Sequence, residues 1–378
     1  LLGRFGVGWY FLFPLPLYPN GVWMSWATGV FFAAIAMLAV SWLVWTLDIL
    51  RSIARRYPLS TALGWRVLSG ERDADVPPLV LITTVSLVVI VGALVAGGIV
   101  LVLFLLQWSG RANVDALLMK NLTFLFGHCL VNITLYLGVA MLYEILPQYT
   151  GRPWRTSRLV AFAWNAVLLL VLFAYFHHLY MDFAQPRWVQ IVGQAASYLL
   201  SLPAAAVTIF GALALIHRSG FRFTMASTLF VLGILGWALG GVAAVIDATV
   251  AVNLVFHNTL WVTAHFHTYY LMGVVLMILG YIDYLSRDLS SAEDNAPPNR
   301  WTVLLFLLGG YGFLAMFYYG GAMSVPRRFA TYPPETSQGA GQALTAVVFG
   351  IVLVAGMSIY LSQTGMRCFR AMAAIRHS

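Results

Sequence analysis

The chain has 378 residues, of which 61% are hydrophobic and only 9% are charged, and its formal net charge is +8. A soluble protein carries roughly a quarter of its residues as Asp, Glu, Lys or Arg, so this composition excludes a water-soluble globular enzyme, a disordered chain and a coiled coil. The two cysteines, Cys129 and Cys368, are too few and too far apart for a disulfide framework or a zinc site. The solvent of the folded chain is therefore largely lipid.

Nine apolar runs of about 20 residues or more, long enough to cross a bilayer, follow one another along the chain. They lie near residues 22–49, 78–107, 118–146, 159–183, 189–216, 224–250, 256–285, 301–325 and 341–363. The sequence lacks the ten-residue alternating segments that are typical of an outer-membrane barrel. It therefore predicts an all-α, polytopic transmembrane helical bundle, with residues 1–378 as a single domain.

The basic residues are unevenly distributed between the two sides of these spans. The loops after spans 1, 3, 5, 7 and 9 hold fifteen arginines, whereas the N-terminus and the loops after the even spans hold five arginines and Lys120. Because positively charged loops stay in the cytoplasm, this imbalance predicts a multi-pass membrane protein with a cytoplasmic C-terminus and an N-terminus outside. The outer pair Arg327–Arg328 departs from the rule, which suggests another role. No basic cluster interleaved with aromatic residues indicates a nucleic-acid partner.

Five of the eight histidines fall within spans: His128 on the third, His177 and His178 on the fourth, and His265 and His267 on the seventh. Imidazole is costly in hydrocarbon, so intramembrane histidines indicate function. Residues two apart on a helix face opposite sides, so His265 and His267 can each bind one of two metals flanking their helix. His177 and His178, about 100° apart, can converge on one ion with His128. Three imidazoles suit copper, although zinc or iron also accept them, and the opposed pair suits two haems.

Four motifs resemble one known family. The segment from His257 to His267, which reads His-Asn-Thr-Leu-Trp-Val-Thr-Ala-His-Phe-His, closely resembles the tenth-helix signature of subunit I of the haem–copper oxidases, the cytochrome c oxidase superfamily. Three further motifs resemble that family's other motifs in the same order: Gly127-His128, Phe176-His177-His178 and Pro326-Arg327-Arg328. The resemblance covers residues 1–378, and the residues around the motifs are most similar to the b-type branch.

The resemblance implies roles for these residues. His265 would be the axial ligand of a high-spin haem and His267 one of two axial ligands of a low-spin haem, both haems being b-type. Copper, with non-haem iron as the alternative, would be held by His128, His177 and His178. His257 and Asn258 would lie near the haem propionates, and Arg327 and Arg328 would pair with the propionate carboxylates, which would account for the exception in the topology.

The chain departs from the family in its number of helices. The family fold has twelve core helices with the copper histidine on the sixth, whereas His128 is on the third span here. The resemblance therefore predicts helices 4–12 of that core. The three N-terminal helices, which include the second ligand of the low-spin haem, would belong to a longer form of this protein or to another polypeptide.

A second departure concerns Asn132. This residue lies one turn after His128, on the same face, where oxygen-reducing members carry a tyrosine that supplies an electron and a proton. Two tyrosines could substitute for it, Tyr136, eight residues after His128, and Tyr175, which precedes the histidine pair, but neither is at the family's position. Reduction of two NO to N2O needs no such donor, and nitric oxide reductases of the superfamily lack the tyrosine. The sequence therefore slightly favours NO, with a terminal oxygen reductase that forms water and translocates protons as the alternative.

The predicted function is that of the catalytic subunit of a respiratory haem–copper reductase in a bacterial or archaeal cell membrane. Electrons would pass from the low-spin haem to the high-spin haem and copper, where O2 or NO is reduced. The expected partners are other subunits, including an electron-donating cytochrome c or copper subunit, and the lipid bilayer. Two rival interpretations are a non-enzymatic transporter with histidine relays and a di-haem electron-transfer cytochrome without a gas site.

Other polar residues in the spans are less informative. The acids Glu144, Asp182, Asp247 and Asp283 lie near span ends, where snorkelling or pairing suffices to explain them. Hydroxyl groups that could form a path for protons are carried by Thr134, Tyr143, Ser197, Ser201 and Thr208. Such residues are also ordinary in helix packing, so both interpretations stay open.

Overall fold

The computed structural model describes residues 5, 12–71, 75–182, 184–290, 297–329 and 332–377. Within these ranges the regular structure is helical, with one isolated antiparallel β-bridge between Thr259 and Pro326. Nine helical segments of this part of the chain are long and apolar enough to cross a membrane. The prediction of an all-α bundle with nine spans is confirmed. Among the arginines used for the topology, Arg4 and Arg72 lie outside the described residues, as does the side chain of Arg376.

In chain order the helices are α1 (Ser25–Ala54), α2 (Leu59–Ala62), α3 (Trp65–Leu68), α4 (Pro78–Trp108), α5 (Ala116–Thr150), α6 (Arg158–Ala174), α7 (Trp188–Ile216), α8 (Met225–Asp247), α9 (Val250–Phe256), α10 (Leu260–His267), α11 (Val275–Leu289), α12 (Arg300–Ala322) and α13 (Gln338–His377). A 3₁₀ helix, Tyr175–Leu179, continues α6, and a π-helical segment, Thr268–Val274, joins α10 to α11.

Several spans begin at residues that can satisfy the first unpaired backbone N–H groups of a helix. The Ser157 side chain accepts a hydrogen bond from Val160 at the start of α6. At the start of α8, Thr224 and Ser227 form a reciprocal capping box. At the start of α12, the Asn299 side chain accepts hydrogen bonds from the backbone N–H groups of Trp301 and Thr302. These polar residues mark the starts of apolar runs, which is why the sequence locates the starts of α6, α8 and α12 to within a residue.

Internal contacts divide the chain into two compact units, and the assignment of residues 1–378 to one domain stays a prediction. The first unit comprises Leu1–Tyr136 and Thr156–Leu200. Its core contains a cluster of buried apolar side chains from α1, α4 and α5, namely Phe32, Val100, Phe104 and Met119. In the loop after α1, the Trp65 indole donates to the Asn165 side chain at 2.8 Å, which anchors α3 to α6.

The second unit comprises Leu137–Arg155 and Ser201–Ser378. Its core is formed by residues of α8, the π-helical segment, α11, α12 and α13, including Leu229, Met272, Leu276, Phe306 and Tyr360. Glycines of α8 let the π-helical segment approach closely: a Cβ at Gly236 would overlap the backbone of Met272, and one at Gly240 would overlap Tyr269. This contact fixes the helix that carries His265 and His267.

Candidate metal centre and neighbouring ligand residues

Three histidines of the first unit form a cluster. His128 lies on α5, and His177 and His178 lie on the 3₁₀ helix that ends the fourth span. Each offers a ring nitrogen, and the three nitrogens lie within 4.8 Å of one another. The structure therefore brings together the three residues that the sequence proposes as ligands of one metal.

The local structure of the histidine pair differs from the expectation. His177 and His178 lie on a 3₁₀ helix, Tyr175–Leu179, rather than on a regular α-helix. Adjacent side chains of a 3₁₀ helix are about 120° apart, because it has three residues per turn. Ring centroids of the pair are nevertheless only 4.2 Å apart. The tighter turn ends the span at Leu179, four residues earlier than the sequence suggested.

The donor set fits a copper ion. The Nδ1 atom of His128 lies 3.3 Å from Nε2 of His178, and two nitrogens that bind one ion at about 2.0–2.1 Å in tetrahedral geometry are separated by about 3.3 Å. His177 Nδ1 lies 3.1 Å from the Ser197 hydroxyl, which leaves Nε2 of the same ring to bind a metal. Neutral imidazoles without a carboxylate or a thiolate suit copper, and iron also accepts them.

Asn132 contacts this cluster. Its amide nitrogen lies 3.1 Å from Nε2 and 3.3 Å from Nδ1 of His128, one helical turn before it. The two tyrosines considered as substitutes for the family's tyrosine pack elsewhere: the Tyr136 ring meets Trp164 edge-on at 5.2 Å, and the Tyr175 ring packs on Phe176 at 4.6 Å. Within the described residues, an amide therefore occupies the position beside the histidine cluster.

In the second unit, α10 carries His265 and His267. The Nδ1 atom of His267 lies 2.8 Å from the Thr263 carbonyl oxygen. A hydrogen bond to a carbonyl requires the proton on Nδ1, so the lone pair of Nε2 remains for a metal. This is the arrangement that an axial haem ligand needs, and His267 therefore fits the role that the resemblance implies.

His265 has a buried carboxylate beside it. Its Nε2 atom lies 3.8 Å from Oδ2 of Asp247, at the C-terminal end of α8. The side chains of His265 and Asp247 are 15% and 6% exposed. The Asp247 backbone carbonyl accepts a hydrogen bond from the Asn253 side chain at 2.8 Å, which holds the α8–α9 connection in place.

The two motifs assigned to the haem propionates lie side by side. The backbone N–H of Arg327 donates to the Asn258 carbonyl at 2.9 Å, and the Arg327 guanidinium donates to the Asn258 side chain at 3.1 Å. The backbone N–H of Leu260 donates to the Val325 carbonyl at 2.9 Å. Burial lowers the pKa of Arg327 to about 10. The positive charge of Arg328 lowers this pKa further, whereas the negative charge of Asp247 raises it. A carboxylate bound here would stabilise the charged arginine.

The remaining predicted residues are placed as follows. His257 directly follows α9 as its C-cap, and its backbone N–H donates to the Asn253 carbonyl at 2.8 Å. Asn258 and Arg328 both have left-handed backbone conformations, with φ of 61° and 76°. Such conformations are uncommon for residues other than glycine, so the two propionate motifs share an unusual loop geometry.

Two residues near the histidines were not singled out from the sequence. The sequence indicates Ser197 only as a hydroxyl on a possible proton path, and Asp247 only as an acid near a span end. Ser197 is 20 residues from His177, and Asp247 is 18 residues from His265. Contacts across such separations follow from helix packing, so neither periodicity nor motif spacing could have identified them. One pair of the proposed proton path is in contact, since the Tyr143 and Thr208 hydroxyls are 2.9 Å apart.

The chain matches the family described as "Cytochrome C and Quinol oxidase polypeptide I" over residues 1–358. It is 28% identical over 324 residues to "Cytochrome c oxidase subunit 1" of Thermus thermophilus, a match that covers 79% of this chain and 57% of the relative. It is 24% identical over 373 residues to "Heme-copper oxidase subunit I+III" of Aeropyrum pernix, which covers 95% of this chain and 43% of the relative. The chain thus spans about half the length of these curated relatives.

A solved structure described as a heme-copper terminal oxidase dimer has the same fold. The two chains superpose with a TM-score of 0.67 at 22% sequence identity, over 79% of this chain and 58% of the other. The fold and the histidine geometry together define a polytopic, all-α membrane protein with a candidate three-histidine metal centre. The chain belongs to the cytochrome c and quinol oxidase polypeptide I family, the subunit I family of the haem–copper oxidases.

Proposed function

We propose that this chain is the catalytic subunit of a membrane haem–copper reductase that reduces a diatomic gas. The observation that carries the proposal is the cluster of His128, His177 and His178, whose ring nitrogens lie within 4.8 Å of one another. Membership of the family supports the same function. A transporter with histidine relays would need neither three converging imidazoles nor two opposed histidines on α10.

In this proposal the residues hold three cofactors. His128, His177 and His178 bind copper, with non-haem iron as the alternative. His265 binds a high-spin haem, and His267 binds a low-spin haem, both b-type. When bound, these groups supply one-electron transfer and a place for the gas. The Ser197 hydroxyl and the Thr263 carbonyl engage the second ring nitrogen of His177 and His267, which orients each ring.

The outer loops would hold the haem propionates. Arg327 and Arg328 are suited to carboxylates because a guanidinium presents paired donors. Asn258 holds Arg327 in place through two hydrogen bonds, and His257 precedes it. A carboxylate at this position would offset the cost of placing two adjacent cations in a partly buried loop.

The names of the relatives favour dioxygen as the substrate. Several are cytochrome c oxidase subunits, among them those of Thermus thermophilus and Halobacterium salinarum. On this basis the enzyme reduces O2 to water, with proton translocation. Its partners would be other subunits of a respiratory complex in a bacterial or archaeal membrane, including a cytochrome c or copper subunit that donates electrons.

One observation favours nitric oxide as the second candidate substrate. The Asn132 amide lies 3.1 Å from the His128 ring, at the position where oxygen-reducing relatives would place a tyrosine. An amide supplies neither an electron nor an acidic proton. Reduction of two NO to N2O takes two electrons, which the metals can supply without a redox-active side chain.

Cofactor analysis of the full-length protein, purified in its complex, tests the class of function. We expect haem bands after reduction with dithionite and one equivalent of copper or iron besides the haem iron. A His177→Ala, His178→Ala variant should lose that equivalent and keep the haems. A protein without haem bands would support the transporter, and a protein with haems but no additional metal would support the di-haem cytochrome.

Turnover with O2 and with NO on the same preparation distinguishes the two gases. Consumption of O2 with negligible formation of N2O would support the oxygen reductase, and the reverse would overturn it in favour of NO reduction. An Asn132→Tyr variant should gain oxygen reduction if the missing phenol is the limiting group. Asn132→Phe is the matched control, because it introduces the ring without the hydroxyl.

A further inference from the structure

A cavity of about 300 Å³ lies in the second unit, where α11 ends beside the C-terminal part of α13. It is lined by Ser290, Gln363, Met366, Arg367 and Arg370. The four residues from α13 are separated by three, one and three positions, the spacing that places side chains on one face of a helix. One face of α13 therefore forms most of the cavity lining, and Ser290, just after α11, completes it.

Arg367 is held in a fixed position at this cavity. Its Nη1 atom donates to the Asp283 carboxylate at 2.9 Å and to the Ser286 hydroxyl at 2.7 Å. The Asp283 side chain is only 2% exposed and also accepts from Arg287 Nε at 2.8 Å. Two guanidinium groups thus share one carboxylate, so the three side chains carry a net positive charge. The Nε and Nη2 donors of Arg367 have no hydrogen-bond partner among the described residues.

Arg370 adds a second cation on the same face. It is exposed and forms no ion pair within the described part of the chain. Gln363 adds a neutral amide donor, whereas the Ser290 hydroxyl already donates to the Arg287 carbonyl at 3.0 Å. The acid nearest along α11, Asp288, is exposed and does not line the cavity. The lining therefore combines one pre-positioned guanidinium, one exposed guanidinium and one neutral amide donor, a set that matches the oxygens of a phosphate group.

The surroundings indicate that the phosphate belongs to a lipid. Apolar side chains beside the cavity are exposed, with values of 53% for Met366, 70% for Phe369 and 63% for Leu289. The 35-residue segment Gly339–Ala373 is about 50 Å long, whereas the hydrocarbon core of a bilayer is about 30 Å thick. One end of this helix therefore extends into the headgroup layer, and its arginines mark that end.

We propose that this cavity binds the phosphate of an anionic phospholipid, with the acyl chains lying along the exposed apolar side chains of α13. The excess positive charge selects an anionic lipid over a zwitterionic one, since basic residues near the membrane surface attract anionic lipids. The lining of the cavity shares no residue with the histidine cluster or with the arginines proposed for the propionates.

Native mass spectrometry of the purified complex tests the proposal. The complex is released from nanodiscs of phosphatidylglycerol or phosphatidylcholine, and the retained lipid is counted. We expect one more phosphatidylglycerol on the unaltered protein than on the Arg370→Gln variant, with affinity reduced about fivefold. The Arg370→Lys variant should retain the lipid. Arg55→Gln, which removes an exposed arginine at the end of α1, should also leave retention unchanged.

Three results would overturn the proposal. Equal retention of phosphatidylglycerol by Arg370→Gln and the unaltered protein would show that the cavity is not the site. Equal retention of phosphatidylcholine would remove the argument from charge. Displacement of the lipid by millimolar inorganic phosphate would assign the cavity to a soluble anion instead. Size-exclusion profiles check that each variant stays folded, and the test does not depend on turnover or on the cofactors.

Discussion

At the scale of single residues, hydrogen bonds to the second nitrogen of an imidazole orient the candidate ligands. Ser197 performs this role for His177, and the Thr263 carbonyl performs it for His267. Such outer partners fix the tautomer and the ring orientation of a metal ligand. The Ser197 hydroxyl also lies 2.7 Å from the Gly193 carbonyl in its own helix, so its position does not depend on the metal.

Replacing Ser197 by alanine should weaken metal binding at the histidine cluster. The His177 ring would lose its orienting partner, which typically costs ten- to a hundredfold in affinity. The measurement is the copper retained after dialysis against a chelator series. Ser197→Thr should restore retention.

The matched control for this prediction is Ser358→Ala on α13. Ser358 forms the same type of hydrogen bond to the carbonyl four residues earlier, at 2.8 Å, and it is exposed. Its replacement should leave the copper content unchanged. If Ser197→Ala retained copper as well as the unaltered protein does, Ser197 would be a packing residue only.

At the scale of helices, the interface between α8 and the π-helical segment positions the two opposed histidines. The segment Thr268–Val274 follows directly on His267. A π-helical turn is wider than an α-helical turn and is frequent at functional sites. The glycines of α8 present no side chain to this segment. From the other side, a Cβ added at Gly273 would lie 3.2 Å from the backbone nitrogen of Trp237.

Gly236→Ala should destabilise the protein, because the new methyl group would overlap the Met272 backbone. Overpacking of this kind costs about 1–3 kcal/mol. The thermal unfolding midpoint of the purified complex measures the effect. Gly92→Ala on α4 is the control, since a Cβ there has no neighbour within 4 Å. That variant should be neutral or stabilising by about 0.5–1 kcal/mol, and equal midpoints for the two variants would contradict the interpretation.

A buried ion pair connects α11 to α13. Asp283, 2% exposed, accepts hydrogen bonds from Arg287 and Arg367. Asp283→Asn would leave two partly buried guanidinium groups without their shared carboxylate, and breaking such a pair costs about 3–5 kcal/mol. The exposed pair of Arg66 and Glu71 is the comparison, because surface pairs contribute about 0–1 kcal/mol. Chemical unfolding of Asp283→Asn and Glu71→Gln should differ accordingly, and similar losses would argue against a structural role for Asp283.

At the scale of the whole molecule, the distribution of apolar and basic residues suits a bilayer. Met37 and Leu38 of α1 are 74% and 62% exposed, and many other large apolar side chains of the spans are similarly exposed. In water such a surface would promote association, whereas in hydrocarbon it has no cost. Within the described residues, charged side chains lie in the loops and towards span ends, and the buried acid Asp283 is paired with two arginines.

The orientation predicted from the arginines places the C-terminus in the cytoplasm. Fifteen basic residues lie on that side and six on the other, an imbalance that retains loops in the cytoplasm during insertion. A green fluorescent protein fused after the last residue should fluoresce, and an alkaline phosphatase fused there should be inactive. A phosphatase fused after Gly110, in the loop that follows the second span, should be active. The opposite pattern would reverse the topology.

Much of the fold could be predicted from the sequence, because a membrane span is a local property. Each span needs about 20 apolar residues. Polar capping residues such as Ser157, Thr224 and Asn299 mark the N-terminal end of the helices that follow them. The ends of two spans were less predictable: the ninth, Gly339–Ala373, extends ten residues beyond the predicted end at residue 363, and in the fourth a 3₁₀ helix replaces the last α-helical turn and ends at Leu179. That tightening depends on packing around His177 and His178, so the hydrophobic pattern alone could not reveal it.

By itself, the sequence determined nine apolar runs long enough to cross a membrane, the resemblance to subunit I of the haem–copper oxidases, and which histidines are candidate ligands. Only the tertiary structure decided which polar groups lie beside the candidate site residues: Ser197 beside His177, Asp247 beside His265, and Asn258 beside Arg327, 69 residues away. The difference has a physical origin. Hydrophobicity acts locally and adds up along each segment, whereas these contacts depend on how distant helices and loops pack together.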